Sequence, residues 1–493
     1  MNSTPRILSC LERGRAPLAR VLVLFLSPFS DSFSCQIEDS GQDVSCPGGR
    51  LSKRQCPEEE SGIMIRKFFV VGAIVATMFT PMFVGDLQRL QADDHLDFDT
   101  DLRLRWEYSH PWDGLTGTDG DTVTMMRTRI GMTTAFSDNI GFALGITDAR
   151  TLTGDDGDAS ISTGGPSIRN LYLQVADLSD LNEHLEFLSG WSMGLGRTAV
   201  PTYDKGRVIH SADWGNLGPA IADGYHLNSD FLDGNLDLNI HFLTLDKDAT
   251  SAAGAGDHFY GAHLAVDSLP FVEGSFYYWK YTADLANQDE ATAEGNADPG
   301  SSGEDTYGYF FSLREGLIPR VGIDFEYALQ DGKRYDVVDD AIEKLDSLFY
   351  SIEGTYHQDA GSDFAALDWR VGQIFATGTS AGATRQEAFL SPFGSPHGTH
   401  GIADLVPTSN VRDFYFGVTT ELMNSEVDLA FHNLASDQGA DWGTELDLVV
   451  RRAQSADFLG GLMPLEVGVG KFSSDSSELE STTYFYTQTS WDF

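Results

Sequence analysis

From residue 95 onward, polar and apolar side chains alternate along the chain. In "HLDFDTDLRLRWEY", residues 95–108, the odd positions are His95, Asp97, Asp99, Asp101, Arg103, Arg105 and Glu107. The even positions are Leu96, Phe98, Thr100, Leu102, Leu104, Trp106 and Tyr108. A strand sends successive side chains to opposite faces, so this stretch predicts a long strand with one ionisable and one apolar face. The pattern recurs. "VTMMRTRIGMTTAF" sets Arg127 and Arg129 against Met126, Ile130 and Met132, and "NLDLNIHFLTLD" sets Asp237, Asn239 and His241 against Leu236, Leu238, Ile240 and Phe242. Similar segments run to residues 482–493, about eighteen in all, each near the ~9–11 residues that a tilted membrane strand needs. Breaks rich in Gly, Asp and Ser, such as "TGDDGDASISTGG" and "ANQDEATAEGNADPGSSGED", read as exposed loops. Asp155, Asp289, Glu304 and Asp305 are placed in such loops. Only Val337–Leu348 reads as a passable helix.

Alternation alone fits a soluble sandwich, with the apolar face in a core, as well as a membrane barrel, with that face in lipid. Three features favour the barrel. The strands are long and regular, their polar faces carry Gly, Ala, Asn and ions as a crowded wet lumen would, and the chain ends "YFYTQTSWDF". There Phe485, Trp491 and the terminal Phe493 share a face, as in the last strand that bacterial outer-membrane assembly machinery recognises. Clusters such as "FVEGSFYYWKYTA" suit aromatic girdles at the membrane interfaces. The expected fold is all-β: a single transmembrane antiparallel barrel of about 18 strands, with long acidic loops on one side.

The N-terminus sets the compartment. "MIRKFFVVGAIVATMFTPMFVGDLQRLQA" opens at Met64 with Arg66 and Lys67, runs apolar to about Val84, and allows cleavage after Ala92. That is a secretory signal pattern, and the run is short for a membrane anchor. Residues 1–63 then read as a mis-called N-terminal extension, 64–92 as the signal peptide and 93–493 as the barrel, in the bacterial outer membrane. All four cysteines (Cys10, Cys35, Cys46, Cys56) precede Met64, so the mature part needs no disulfide or thiolate metal site.

Charge narrows the function. The chain has 74 acidic and 32 basic residues, a net of −42. Residues 1–92 hold ten basic and nine acidic of these, leaving 22 and 65, a net of −43. Such acidity excludes a nucleic-acid partner, which requires a basic surface. No calcium-loop, phosphate-loop or helical metal motif occurs, and "HGTH" (His397, His400) has no companion ligands. No catalytic residue, metal or cofactor is expected.

The segment "GLGRTAVPTYDKGRVIHSADWGNLGPAIADGYHL" (194–227) resembles the bacterial alginate-export outer-membrane proteins. The matching positions are Gly196, Arg197, Tyr203, Asp204, Gly206, Arg207, Asp213, Trp214, Asn216, Asp223 and Gly224. "RTRIGM" (127–132), "PFGSPHGTHGIADL" (392–405) and "DWGTELDLVVRR" (441–452) resemble further segments of that family. The resemblance implies an eighteen-stranded barrel with an arginine-lined pore narrowed by inward loops, passing a secreted polyanion or related solute.

A uronate polymer carries a carboxylate on every sugar, and arginine stays charged and forks onto carboxylates. A charge facing lipid at mid-bilayer costs ~2–4 kcal/mol, which sends strand arginines to the lumen. The candidate path comprises Arg103, Arg105, Arg127, Arg129, Arg197, Arg207, Asp213, Trp214, Asn216, Arg370 and Arg412, with Arg169, Arg314, Arg385 and Arg451 as further cations. Each could equally pair with a lumen acid and only stiffen the wall. Asp97, Asp99, Asp101 and Asp237 share the inward face, so a neutral saccharide is as fitting a cargo as an anionic one. A general or saccharide-selective porin, a non-transporting surface barrel with adhesive acidic loops, and a barrel enzyme remain alternatives. The expected partners are an anionic or neutral saccharide polymer, outer-membrane lipid, and the assembly machinery through Phe493.

Overall fold

The computed structural model describes residues 96–493, except 111–120, 154–165, 209–219, 232–234, 246–257, 267–270, 285–300, 314–316, 337–340, 362–364, 381–384, 392–398, 459–460, 477–478 and 493. The extension, the signal peptide, the cysteines, His397, Asp213, Trp214, Asn216, Arg314 and Phe493 lie outside the described residues.

Eighteen strands follow one another: β1 Leu96–His110, β2 Asp121–Ala135, β3 Ile140–Thr153, β4 Ser167–Val175, β5 Trp191–Ala199 and β6 Ile221–Phe231. Then come β7 Leu236–Leu245, β8 His258–Val266, β9 Val272–Asp284, β10 Ser301–Leu313, β11 Val321–Asp336 and β12 Ala341–Gln358. The last six are β13 Leu367–Ala376, β14 Val411–Leu422, β15 Ser425–Ala435, β16 Asp441–Phe458, β17 Gly461–Ser474 and β18 Thr483–Asp492. Each pairs antiparallel with its neighbours, and β1 pairs with β18, so the sheet closes without an edge. Closure satisfies every wall strand's hydrogen bonds from within, which is what lipid demands. No described helix is long and apolar enough to cross a membrane.

Two expectations fail. The helix proposed over Val337–Leu348 is a strand where that segment is described: residues 341–348 open β12, and residues 341–356 pair in unbroken register with β11. Ladder pairing with β11, with a bridge from Leu345 to Gln386 on the other side, outweighs a weak local helical preference. Glu304 and Asp305 lie not in a loop but in β10, paired with Tyr281 and Lys280 of β9.

Register separates the two faces, because residues opposite each other across a ladder share a face. Asp99, Asp101 and Arg103 stand opposite Gly131, Arg129 and Arg127 of β2, and Arg105 stands opposite Gln488 of β18. This face is sheltered: Arg103 is 4% exposed and Arg127 3%. Its apolar counterpart is open, with Phe98 63% exposed. The exposed large hydrophobics continue around the wall through Ile130, Phe276, Tyr307, Leu329, Ile352, Phe416, Leu429 and Leu446. They are the lipid-facing band.

The connection after β5 and the one after β13 fold into the barrel. Val200, Tyr203 and Val208 of the first and Phe389 and Val406 of the second join one apolar cluster with Leu243, Phe259, Trp279, Phe349 and Leu434. That cluster uses inward residues near the long-loop end of the strands. The lumen is thus partly apolar where the two loops are anchored.

Candidate functional site: the inner wall and its two inward loops

Four arginines sit together on the inward face of β1 and β2. Arg103 is directly opposite Arg127, and Arg129 is opposite Asp101. Arg127 Nη2 donates to Asp101 Oδ2 at 3.2 Å, and Arg105 pairs with Glu107 at 2.5 Å. Two arginines directly opposite each other repel, so the acids beside them hold the array together. Arg169 joins the same wall. A register shift between Gly145 and Ile146 on β3 faces it, and a bulge of this kind re-aims a side chain out of strict alternation. Arg169 is 9% exposed.

Arg370 and Arg451 are also inward, but clamped. Arg370 forks onto Asp428 at 2.7 and 2.9 Å. Its guanidinium fills the space where a Cβ at Gly417 would stand. Arg451 bridges Glu426 at 2.8 Å and Glu466 at 3.1 Å.

Arg207 is on the first inward loop and reaches a distant wall. Its Nη1 donates to Ser351 Oγ on β12 at 2.8 Å and its Nη2 to Tyr415 OH on β14 at 3.3 Å. Glu353 lies 3.5 Å away and accepts from Tyr415 at 2.6 Å. Lys205 pairs with Asp324 of β11 at 2.9 Å. Tyr203 stacks on His263 of β8, centroids 4.6 Å apart, and Asp204 accepts from Ser275 of β9 at 2.7 Å. Burial and the neighbouring Asp204 charge push the Tyr203 phenol up, so it stays neutral. Asp204 turns the chain with φ 50°, a left-handed conformation that aspartate tolerates. The loop is thus a strap across the lumen, fixed on both sides of its turn.

The second loop is tied beside it. Ser391 Oγ donates to the Val208 carbonyl at 2.6 Å, joining the two loops. Gln330 Nε2 donates to the Leu390 carbonyl at 2.6 Å. Further along, His400 and His432 each present Nδ1 to Asp413 Oδ2, at 3.3 and 2.9 Å. A carboxylate only accepts, so both imidazoles carry the proton on that nitrogen. The Ile402 and Ala403 amides donate to Asp447 and Glu445 at 3.2 and 2.9 Å. The described anchors of both loops come from β7–β18.

Two expected path residues, Arg197 and Arg412, and the further cation Arg385 are elsewhere. Arg197 is opposite Leu171 and Asp223, on the face of exposed Leu195, and forks onto Asp223 at 2.9 and 2.8 Å. Arg412 shares its face with exposed Phe414 and Phe416. Arg385 pairs with Asp346 at 2.7 Å, beyond the outward Leu348. All three stand on the outside of the barrel, toward its long-loop end. The cost of a lipid-facing charge falls to about 0–1 kcal/mol at the membrane interface, so mid-bilayer reasoning did not bind them to the lumen. The anchors Asp324, Ser351, Glu353 and Tyr415 were not foreseen, since nothing in their local pattern points to a loop more than a hundred residues earlier in the chain. Among the described residues no group of three or more His, Cys, Asp or Glu is arranged to hold a metal ion.

Comparison with solved structures gives the same architecture. OccK11 (OpdR) of Pseudomonas aeruginosa superposes with a TM-score of 0.52 at 15% identity, covering 80% of this chain and 96% of that one. OccAB1 of Acinetobacter baumannii gives 0.53 at 11%, covering 81% and 97%. The outer membrane protein OprD from P. aeruginosa gives 0.50 at 13%, covering 81% and 93%. At such identities the likeness is one of fold. No curated protein sequence matches the chain. The sequence model of the family described as "Alginate export" matches residues 94–467, nearly the whole barrel. The chain therefore belongs to the alginate export family and is an outer-membrane β-barrel channel.

Proposed function

We propose that the channel passes an acidic saccharide, polymeric or short, along the arginine wall of β1, β2 and β4, past the two inward loops. The observation that carries this reading is Arg103 opposite Arg127, with Arg105 and Arg129 flanking them on the inward face. Wall rigidity alone would favour opposite charges across a ladder; like charges side by side favour an anion in front of them. The flanking Asp101 and Glu107 keep each contact weak, so that a carboxylate hops rather than sticks. Arginine's fork matches the carboxylate of a uronate. No covalent chemistry is needed.

Blocking of single-channel current tests the cargo class. Uronate oligomers should interrupt the current at lower concentration than neutral oligomers of equal length. Equal potency would point instead to a saccharide pore indifferent to charge, which the inward acids Asp97, Asp99 and Asp237 also suit.

A further inference from the structure

The barrel's outer wall carries a second set of cations. On β11 the outward residues Val321, Ile323, Phe325, Tyr327 and Leu329 form an apolar run, and the next two outward residues are Asp331 and Lys333. At ~3.3 Å per residue that run is ~26 Å along the strand, which at the ~40° tilt of such barrels spans ~20 Å of height, most of their ~25 Å apolar band. The charges begin where the band ends. The same break recurs around the wall. It falls after Ile146 on β3, with Asp148 and Arg150; after Leu195 on β5, with Arg197; and after Tyr278 on β9, with Lys280. It falls after Leu348 on β12, with Asp346 and Lys344; after Phe414 on β14, with Arg412; and after Val469 on β17, with Lys471.

All of these lie toward the long-loop end. Among the lysines and arginines whose side chains are described, only Arg320 and Arg452 belong neither to this belt nor to the inner wall and its loops. A chain of net charge −42 has thus set many of its few cations on a narrow ring at one membrane interface. Lys333 is directly opposite Lys344, both exposed, a like-charge pair that the fold itself does not favour. Where acids are present, the pairs are open to solvent: Arg150–Asp148, Arg197–Asp223, Lys280–Asp305 and Arg385–Asp346. Such pairs contribute little, so exchanging a carboxylate for another anion costs little.

We propose that this belt docks the phosphate groups of lipid headgroups in the leaflet at the long-loop end. A headgroup layer is what lies just beyond an apolar band, and each surface lysine or arginine attracts an anionic lipid with about 1 kcal/mol, a fivefold gain. Aromatic side chains Tyr225, Phe242 and Tyr260, packed in a row next to Asp223 and His258, hold the acyl boundary on that side.

The test is native mass spectrometry of the folded full barrel incubated with a diphosphorylated glycolipid or with the same glycolipid lacking its phosphates. The wild type should retain the phosphorylated lipid preferentially. Lys333→Gln with Lys344→Gln and Arg412→Gln should lower its retention roughly tenfold or more. Arg452→Gln, at the other end, should leave it unchanged. Equal retention of the two lipids by the wild type, or of the phosphorylated lipid by wild type and triple variant, overturns the proposal. If the triple variant does not fold, Lys471→Gln and Arg412→Gln made singly must each lower retention, and no decrease in either overturns it.

Discussion

Arg103 and Arg127 show what a single residue contributes here: on an inward face a cation is either forked onto fixed acids or set opposite another cation, as these two are, with Asp101 bonded to Arg127. Arg370 and Arg451 are of the first kind, forked onto Asp428 and bridging Glu426 and Glu466. Arg207 is different again, because its partners are the far wall. Replacing Arg207 with Ala removes bonds to Ser351 and Tyr415 and leaves Glu353 without its cation. We expect the strap to loosen at a cost of about 1–3 kcal/mol, read as noisier and larger single-channel current. Arg412→Ala, on the outer face, should leave reversal potentials unchanged. The parity of these residues was partly legible. Arg103, Arg105, Arg127 and Arg129 fall on the polar side of long, clean alternations. Arg412 has the parity of Phe414 and Phe416, and Arg197 that of Met193 and Leu195, so alternation assigned them outward; a general rule about charge in lipid overrode it. One residue of offset exchanges the faces, which makes parity the stronger guide.

At the scale of elements, β12 is the instructive case. Its first half is charged and mixed, "AIEKLDSL", and looks helical when read alone. In the barrel Leu345, Ser347 and Phe349 turn inward and are buried, while Lys344 and Asp346 turn out. Ser347→Pro would remove a donor from the ladder with β11 and should abolish the heat-modifiable folded form on electrophoresis. The β4–β5 connection holds two short 3-10 turns, Leu178–Leu181 and Glu183–Leu188. Asp177 caps the first, accepting from the Ser179 hydroxyl and amide at 2.7 and 2.8 Å and from the Gly190 amide at 3.2 Å. These bonds hold its carboxyl below the ordinary range. A depressed carboxyl contributes stability above its unfolded value, about 3.9, and loses it as pH falls through the folded value. The protection of the Ser179 and Gly190 amides, taken relative to their intrinsic exchange, should therefore fall in acid, and Asp177→Asn should flatten that dependence. Unchanged protection factors down to pH 2 would contradict the cap. This turn left no trace in the alternation pattern, because a connection has no period to read.

The whole molecule sorts charge by place. Apolar side chains face lipid, arginines gather on one part of the inner wall, acids of β11–β16 hold the two inward loops, and a basic ring circles the outside at one end. The closed eighteen-stranded wall was legible because a membrane barrel must repeat its two-faced strand many times, and repetition averages out local errors. The inward loops were legible only through family resemblance. Their anchors join residues far apart in the chain, and no local pattern encodes that. Selectivity arising from the arginine wall should weaken with salt, since the screening length falls from about 10 Å at 0.1 M to about 3 Å at 1 M. The most direct test of the wall's role is the reversal potential of single channels in a salt gradient, for the wild type and for Arg127→Ala combined with Arg129→Ala. A shift toward cation selectivity is expected in the double variant, larger at low salt. Identical reversal potentials in the two proteins would contradict it.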